Sequence, residues 1–501
     1  MAARRTTRPV HTLAALLRGV ASVESRYQDV AVAGLALDSR GVEPGYVFLA
    51  CQGLHAHGLT FAAEAIQRGA AAIVYEAVDG LQPLPADIPV IAVPGLGQRV
   101  GEIADRFFEH PSRAMTVIGI TGTDGKSSIS HFLAQALDLE RARCGVIGTL
   151  GYGLYGELES GTHTTPDAVR VHHELRRFVD RGARWTSMEV SSHALEQGRV
   201  SGVDFDIALL SNLTRDHLDY HGSHAAYADA KRRLFHWPGL RHAVLNLDDA
   251  FGRALYSELD GQVDRVGYGL EASAGDNAVR AVDILYGPQG FSGRVETPWG
   301  TGEFQAPLLG RFNVYNLLAV LSTLLALGVE LNDALERLSH TRSIPGRMEA
   351  FGGGAGQPLV VVDYAHTPGA LAAVLESLRP LAEGRLICVF GCGGDRDRGK
   401  RAEMGAVAAR LADAVIVTDD NPRHESPQLI VDEILAGITG DTPVEVEHDR
   451  AMAIARAVAD AGAGDVVLVA GKGHEIYQQY GATRRPFSDR EQVSACLEVS
   501  A

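Results

Sequence analysis

Apolar residues in this chain fall into short continuous runs separated by turn residues, with helix-like spacings between many of them. Trp185 to Val190, Ile207 to Leu210 and Ala243 to Leu247 lack two-residue alternation, the pattern of strands buried on both faces of a parallel sheet. Residues 1–97 alternate runs such as Tyr46 to Ala50 and Ala70 to Tyr75 with a helix-like stretch, Phe61 to Arg68, which predicts a small α/β domain. Pro94-Gly95-Leu96-Gly97 marks its end, because Pro and Gly favour a turn over a continued element. Residues 98–340 open with a strand, Met115 to Ile120, then a Gly-rich loop and a helix pattern through Ile129, Phe132, Leu133 and Ala136. After Ile344-Pro345-Gly346-Arg347 the alternation is most regular, with strands at Leu359 to Asp363, Leu386 to Phe390, Ala414 to Thr418 and Val466 to Ala470. The helix Met452 to Ala461 carries Ile454, Ala457, Val458 and Ala461 on one face. Residues 341–501 are therefore expected to form a doubly wound, Rossmann-like sheet with ligands beyond the carboxyl ends of its strands.

Composition narrows the class. A chain of 501 residues exceeds what one hydrophobic core supports, in keeping with three domains. The net charge of -16 comes without a basic stripe, so nucleic acid is not an expected partner and any phosphate site must be built locally from cations and backbone N–H groups. Five cysteines show no C-x-x-C spacing, which signals neither a disulfide framework nor zinc and suits a reducing cytoplasm. Arg4, Arg5 and Arg8 precede an apolar stretch, Leu13 to Leu17, too short for a signal peptide, and no run is long enough to span a bilayer. A cytoplasmic monomer without membrane partners is the expectation.

Gly119-Ile-Thr-Gly122-Thr123-Asp124-Gly125-Lys126-Ser127-Ser128 follows a strand and opens a helix. Glycines there let backbone N–H groups and the helix N-terminus face phosphate oxygens, Lys126 neutralises them, and the Ser127 hydroxyl can ligate magnesium. Ile120 stands where a strict phosphate-loop motif has its first Gly, so an ordinary Gly-rich turn is the alternative. Glu189 and His217 end apolar runs and could hold a divalent metal, although each in isolation is more often a hydrogen-bonded structural residue. Lys231 looks like a solvated lysine on a helix surface. Asp363, just past a strand, reads equally well as a helix N-cap. Asp419-Asp420-Asn421-Pro422-Arg423 directly follows a strand and should face the ligand crevice, while Asn-Pro alone would be only a turn.

Gly122-Thr-Asp-Gly-Lys126-Ser resembles the G-T-N/D-G-K-T/S signature of the Mur ligase family, and the resemblance extends over nearly the whole chain. It implies an α/β protein of three domains, with a central P-loop ATPase-like parallel sheet. It also implies an ATP- and Mg2+-dependent amide-forming ligase of peptidoglycan synthesis. Gly122, Thr123, Asp124, Gly125, Lys126, Ser127, Ser128, Asn313 and Arg347 then match ATP contacts, with Asp363 beside them. Ser127, Glu189, His217 and a carbamylated Lys231 match the magnesium ligands. Leu37, Ser39, His55, Thr164, Thr165, Ser191, Gln197 and Arg199 match the site of the UDP-muramoyl dipeptide, with His57 where the family usually has Asp and His163 where it has Asn. Asp-Asn-Pro-Arg resembles the signature of the meso-diaminopimelate-adding branch. Arg396, Asp420, Asn421, Arg423, Gly471 and Glu475 would hold that amino acid, the two arginines gripping the distal carboxylate that lysine lacks and Glu475 receiving the distal ammonium. The implied reaction passes through an acyl phosphate. Closure of the third domain would accompany it, because the ATP and amino-acid residues lie on different domains. A lysine-adding relative, a folylpolyglutamate-type ligase and a non-catalytic ATP-binding regulatory protein are the competing readings.

Overall fold

The computed structural model describes residues 11–499 except 54–55, 82–85, 140–141, 162, 215, 273–276, 288 and 355. The chain divides into two compact units, Met1–Ala272 and Ser273–Ala501. Among the described residues no helix is long and apolar enough to cross a membrane.

The first unit contains a parallel sheet ordered Gly34–Ala36, Tyr46–Ala50, Ala72–Glu76, Val90–Val93. Pro94-Gly95 does turn the chain, Gly95 taking φ +62, but Leu96 already begins a helix to Phe107. That helix buries Leu96, Val100, Ile103, Ala104 and Phe107 in the same core as Val47, Leu49 and Val74 of the sheet. The unit's larger sheet runs Asp264–Gly269, His242–Asn246, Ile207–Leu210, Thr116–Thr121, Ala183–Glu189 and Arg143–Gly148, all parallel, with Gly151–Leu154 antiparallel at the edge. Of its central strands, Ile207–Leu210 is buried at every position, as its unbroken apolar run requires, and Thr116–Thr121 and His242–Asn246 at all but the first.

Helix Lys126–Leu137 packs against this sheet and carries His131, whose ring is buried and whose Nε2 has no hydrogen-bond partner. Burial pushes its imidazole down from 6.5 to about 4. Below about pH 6.5 the unfolded chain takes up a proton that the folded chain refuses, so the native state loses stability as the pH falls. Comparing urea unfolding of the wild type and His131→Leu at pH 7 and pH 5 should reveal about 2 kcal/mol of this loss only in the wild type. Equal losses in both proteins would contradict a neutral buried ring.

The second unit begins with an antiparallel meander, Ala278–Gly287, Gly290–Thr297 and Gly300–Ala306, followed by helices Arg311–Ala326 and Leu331–Ser339. The sequence reading did not find this meander. Its strands alternate buried and exposed positions, as in a sheet solvated on one face. The unit's main sheet is ordered Glu349–Gly352, Leu359–Asp363, Val466–Ala470, Leu386–Phe390, Ala414–Val417, Val444–Val446, parallel except for the first strand. Three of the four strands expected here have the anticipated bounds, and the doubly wound order places the loops at 364–366, 391–396, 418–423 and 471–475 beyond their carboxyl ends.

Candidate active site

In the first unit strand Thr116–Thr121 leads directly into the glycine loop. Gly122 has φ +146, and a Cβ on it would lie 1.9 Å from the Ser211 hydroxyl, so only glycine fits. Ser211 Oγ donates to the Asp124 carbonyl at 2.5 Å, while the Thr123 and Asp124 amides donate to Asn212. Those anchors come from the loop after the adjacent parallel strand, Ile207–Leu210. Gly125, at φ +83, starts helix Lys126–Leu137, whose first amides have no acceptor within the helix and suit an anion. The Lys126 ammonium lies over the loop, donating to the carbonyls of Gly122 at 2.9 Å and Thr123 at 2.8 Å. Ser128 is half-buried beside it.

Glu189 ends the strand on the other side of the loop and is completely buried. Its carboxylate accepts from the Thr149 amide at 2.9 Å, the Thr149 hydroxyl at 3.1 Å and the Ser127 hydroxyl at 3.0 Å. None of the ion pairs among the described residues neutralises it. A buried carboxylate beside a hydroxyl and a phosphate loop, lacking a cation, is the donor set a magnesium ion fits. Among the described residues no group of three or more His, Cys, Asp and Glu could hold a metal, so water and phosphate oxygens would complete its shell.

The residues expected to hold the dipeptide gather beside Glu189. Thr165 Oγ1 donates to the Glu189 carbonyl at 2.7 Å and accepts the Ser191 amide, and Thr164 contacts Thr149 hydroxyl to hydroxyl at 3.0 Å. Arg199 donates to the Thr165 carbonyl and to Gln197, whose own amide donates to Tyr220. Ser191 also caps the helix Ser192–Glu196. Elsewhere in the unit Ser39 is buried and donates to Glu64 at 2.6 Å, and Leu37 packs against the apolar core. His57 performs the capping an Asp would give: its Nδ1 accepts the Leu59 amide while Nε2 meets the Glu76 carbonyl. His55 lies outside the described residues.

Two expectations change. Lys231 is not a surface lysine: it is 1% exposed, because helix His224–Arg232 turns its Tyr227, Ala230 and Lys231 face inward. Its Nζ donates to the Gly122 carbonyl at 2.6 Å and sits 4.5 Å from the Tyr227 ring centre. Burial, then the nearby Lys126 charge, holds its ammonium well below the usual 10.5. His217 stands apart from the Glu189 hydrogen-bond network. It takes a left-handed φ of +52, is exposed, and stacks edge-on to His193 with centroids 4.9 Å apart.

The second unit brings together the other set. Asp363 is not a helix N-cap, because Thr367 caps the following helix Pro368–Leu378. Asp363 instead ends its strand and accepts the Met348 amide at 2.8 Å and the Ala365 amide at 2.7 Å, fixing the turn that carries Arg347. Burial raises its carboxyl and the Arg347 charge opposes this. The Arg347 guanidinium lies 4.6 Å over the Tyr364 ring, and the His474 ring is 5.1 Å from the same tyrosine. A Cβ on Gly346 would strike the backbone of Gly473 and His474 at 2.1 Å, so the two turns are in direct contact. Asn313 is buried near the start of helix Arg311–Ala326, donating to the Leu309 carbonyl and accepting from Asn316.

The loop after strand Ala414–Val417 presents Asp420, Asn421 and Arg423. Arg423 has φ +51, its guanidinium donates to the Gly394 carbonyl at 2.6 Å, and its backbone bonds to Gln479 and Gly481 of a hairpin, Tyr477–Tyr480 with Thr483–Pro486. Arg396 is exposed on the Gly391–Arg396 loop and no hydrogen bond or ion pair among the described residues holds it, so one guanidinium is anchored and the other is not. Gly471 takes φ +113 and donates to the Asp363 carbonyl. Glu475 does not stand open as a bare carboxylate: Lys472 and Asn421 both donate to its Oε2.

Family models match most of the chain in order: the Mur ligase family catalytic domain at residues 31–108, the Mur ligase middle domain at 120–324, and the Mur ligase glutamate ligase domain at 346–473. The chain belongs to the Mur ligase family. It is 52% identical over 478 residues to the UDP-N-acetylmuramoyl-L-alanyl-D-glutamate–2,6-diaminopimelate ligase of Alkalilimnicola ehrlichii, covering 94% of this chain and 95% of that one. The ligase of the same name from Pseudomonas aeruginosa is 51% identical over 470 residues, with 94% and 96% covered. A solved structure of a ligase with that name superposes with a TM-score of 0.75 at 36% identity, covering 98% of this chain and 99% of that one. The mixed α/β architecture with N-terminal, central and C-terminal domains is thus the Mur ligase fold.

Sequence reasoning missed two contributors. Thr149 spends both its amide and its hydroxyl on Glu189, and only its place after strand Arg143–Gly148 could have drawn attention to it. Lys472, between two glycines at a strand end, is fully buried at the centre of the C-terminal acidic cluster.

Proposed function

We propose that this chain is a cytoplasmic, ATP-dependent ligase that adds meso-diaminopimelate to UDP-N-acetylmuramoyl-L-alanyl-D-glutamate. The observation that carries the reading is the Arg423 guanidinium, anchored on Gly394 beside Arg396 at the carboxyl end of a parallel sheet. Two guanidinium groups suit a carboxylate that diaminopimelate has and lysine lacks.

In the reaction the γ-phosphoryl group of ATP passes to the dipeptide's terminal carboxylate, giving an acyl phosphate. The amine of the incoming amino acid attacks the carbonyl carbon, the amide forms and phosphate leaves. Lys126 and the helix N-terminus hold the transferring phosphoryl group. Thr164, Thr165, Ser191, Gln197 and Arg199 orient the carboxylate that receives it. Magnesium, held by Ser127, Glu189 and a carbamate on Lys231, would neutralise phosphate oxygens. Burial supports the carbamate, since a lysine kept neutral is nucleophilic toward carbon dioxide.

Offering lysine and meso-diaminopimelate in parallel to the purified protein, with ATP and the UDP-linked dipeptide, should give amide product and released phosphate with diaminopimelate alone. Equal coupling of lysine would overturn the specificity, and ATP binding without any amide product would favour a regulatory role.

A further inference from the structure

Lys472 is 0% exposed, yet it sits among carboxylates rather than apolar side chains. Its Nζ is 2.9 Å from Glu475 Oε2, 3.2 Å from Asn421 Oδ1 and 3.6 Å from Asp420 Oδ1. Among the described residues the other cation buried in the cluster is Arg450, spent on a bidentate bond to the fully buried Asp489. Two cations therefore face three carboxylates, Asp420, Glu475 and Asp489, and one negative charge is left over. Burial raises the carboxyl of Asp420 despite Lys472. Glu475 is held below its usual range: its own burial opposes this, but Lys472 and Asn421 outweigh it.

The arrangement is also directional. Lys472 and Asn421 both bond to Oε2 of Glu475, while among the described residues Oε1 takes no hydrogen bond, on a side chain 19% exposed. Asn421 is locked in turn, its Oδ1 accepting from Lys472 and from the Gln479 amide.

Resting on the diaminopimelate reading, we propose that Lys472 is the positioning residue for the ammonium at the amino acid's distal end. It leaves the cluster one charge short of neutrality and turns the free oxygen of Glu475 toward that ammonium. Lys472 itself does not touch the substrate. A buried negative charge one short of compensation binds a cation strongly and tolerates its absence poorly.

The test compares kcat/KM for meso-diaminopimelate with that for 2-aminopimelate, which keeps the attacking amine and both carboxylates but lacks the distal ammonium. In the wild type the ratio should be about thirty or more. Lys472→Met leaves a second buried negative charge uncompensated, so a carboxyl of the cluster takes up a proton, Glu475 loses the donor that orients it, and the ratio should fall below about three, with KM for ATP and for the dipeptide unchanged. A lysine that serves only the fold would lower both substrates alike and leave the ratio at the wild-type value, which overturns the proposal. If Lys472→Met does not fold, Lys472→Arg decides: it keeps the charge, but its longer fork displaces Glu475 and must still lower the ratio about threefold or more. An unchanged ratio in a folded Lys472→Arg also overturns it. A wild type that couples neither amino acid would refute the functional reading instead, independently of Lys472.

Discussion

Replacing Lys231 with alanine is expected to lower turnover about a thousandfold while the chain stays folded. The side chain is fully buried against the Gly122 carbonyl of the phosphate loop and has no carboxylate partner within ion-pair distance among the described residues. Leaving an ammonium in such a place is costly, which is why its proton is lost so readily. As a neutral amine it can add carbon dioxide and become an anionic oxygen ligand beside Lys126. Three measurements follow from one cause. Activity should drop in buffer stripped of carbon dioxide, a native mass spectrum should show the added carbamate, and a short carboxylic acid should restore part of the alanine variant's turnover. A variant keeping more than roughly a tenth of wild-type turnover would remove Lys231 from the machinery.

Arg423→Ala should raise KM for meso-diaminopimelate by about 2–4 kcal/mol of lost binding, with KM for ATP unchanged. Alanine inherits the same left-handed backbone at this position, and its backbone bonds to Gln479 and Gly481 survive, so the comparison isolates the guanidinium. Steady-state kinetics with each substrate varied separately would decide. An unchanged KM and turnover for the amino acid would place carboxylate recognition elsewhere, with Arg396 the next residue to replace.

Much of this architecture is visible in the amino-acid string because parallel strands buried on both faces are apolar at most positions. Leu359–Asp363, Leu386–Phe390 and Val466–Ala470 have the bounds expected of them. The antiparallel meander from Ala278 to Ala306 was harder, since Arg280, Asp283 and Glu296 interrupt its apolar positions and disguise the strands. Burial of charge is harder still. Tyr-Ala-Asp-Ala-Lys231-Arg-Arg reads as solvated helix, and only the packing of Tyr227 and Ala230 against the phosphate loop's surroundings reveals that the lysine points inward. The same holds for Glu475, whose partner Lys472 is three residues away but whose occupied and open oxygens are fixed by Asn421, far off in the chain.

The close approach of Gly346 to Gly473 and His474 bears on how such enzymes diverge. Any side chain added at Gly346 must push the segment carrying Lys472 and Glu475, so the turn that carries Arg347 and the turn that carries Lys472 form one interlocked part. Grafting selectivity from one relative to another therefore calls for exchanging both stretches at once, rather than the Asp-Asn-Pro-Arg tetrapeptide by itself.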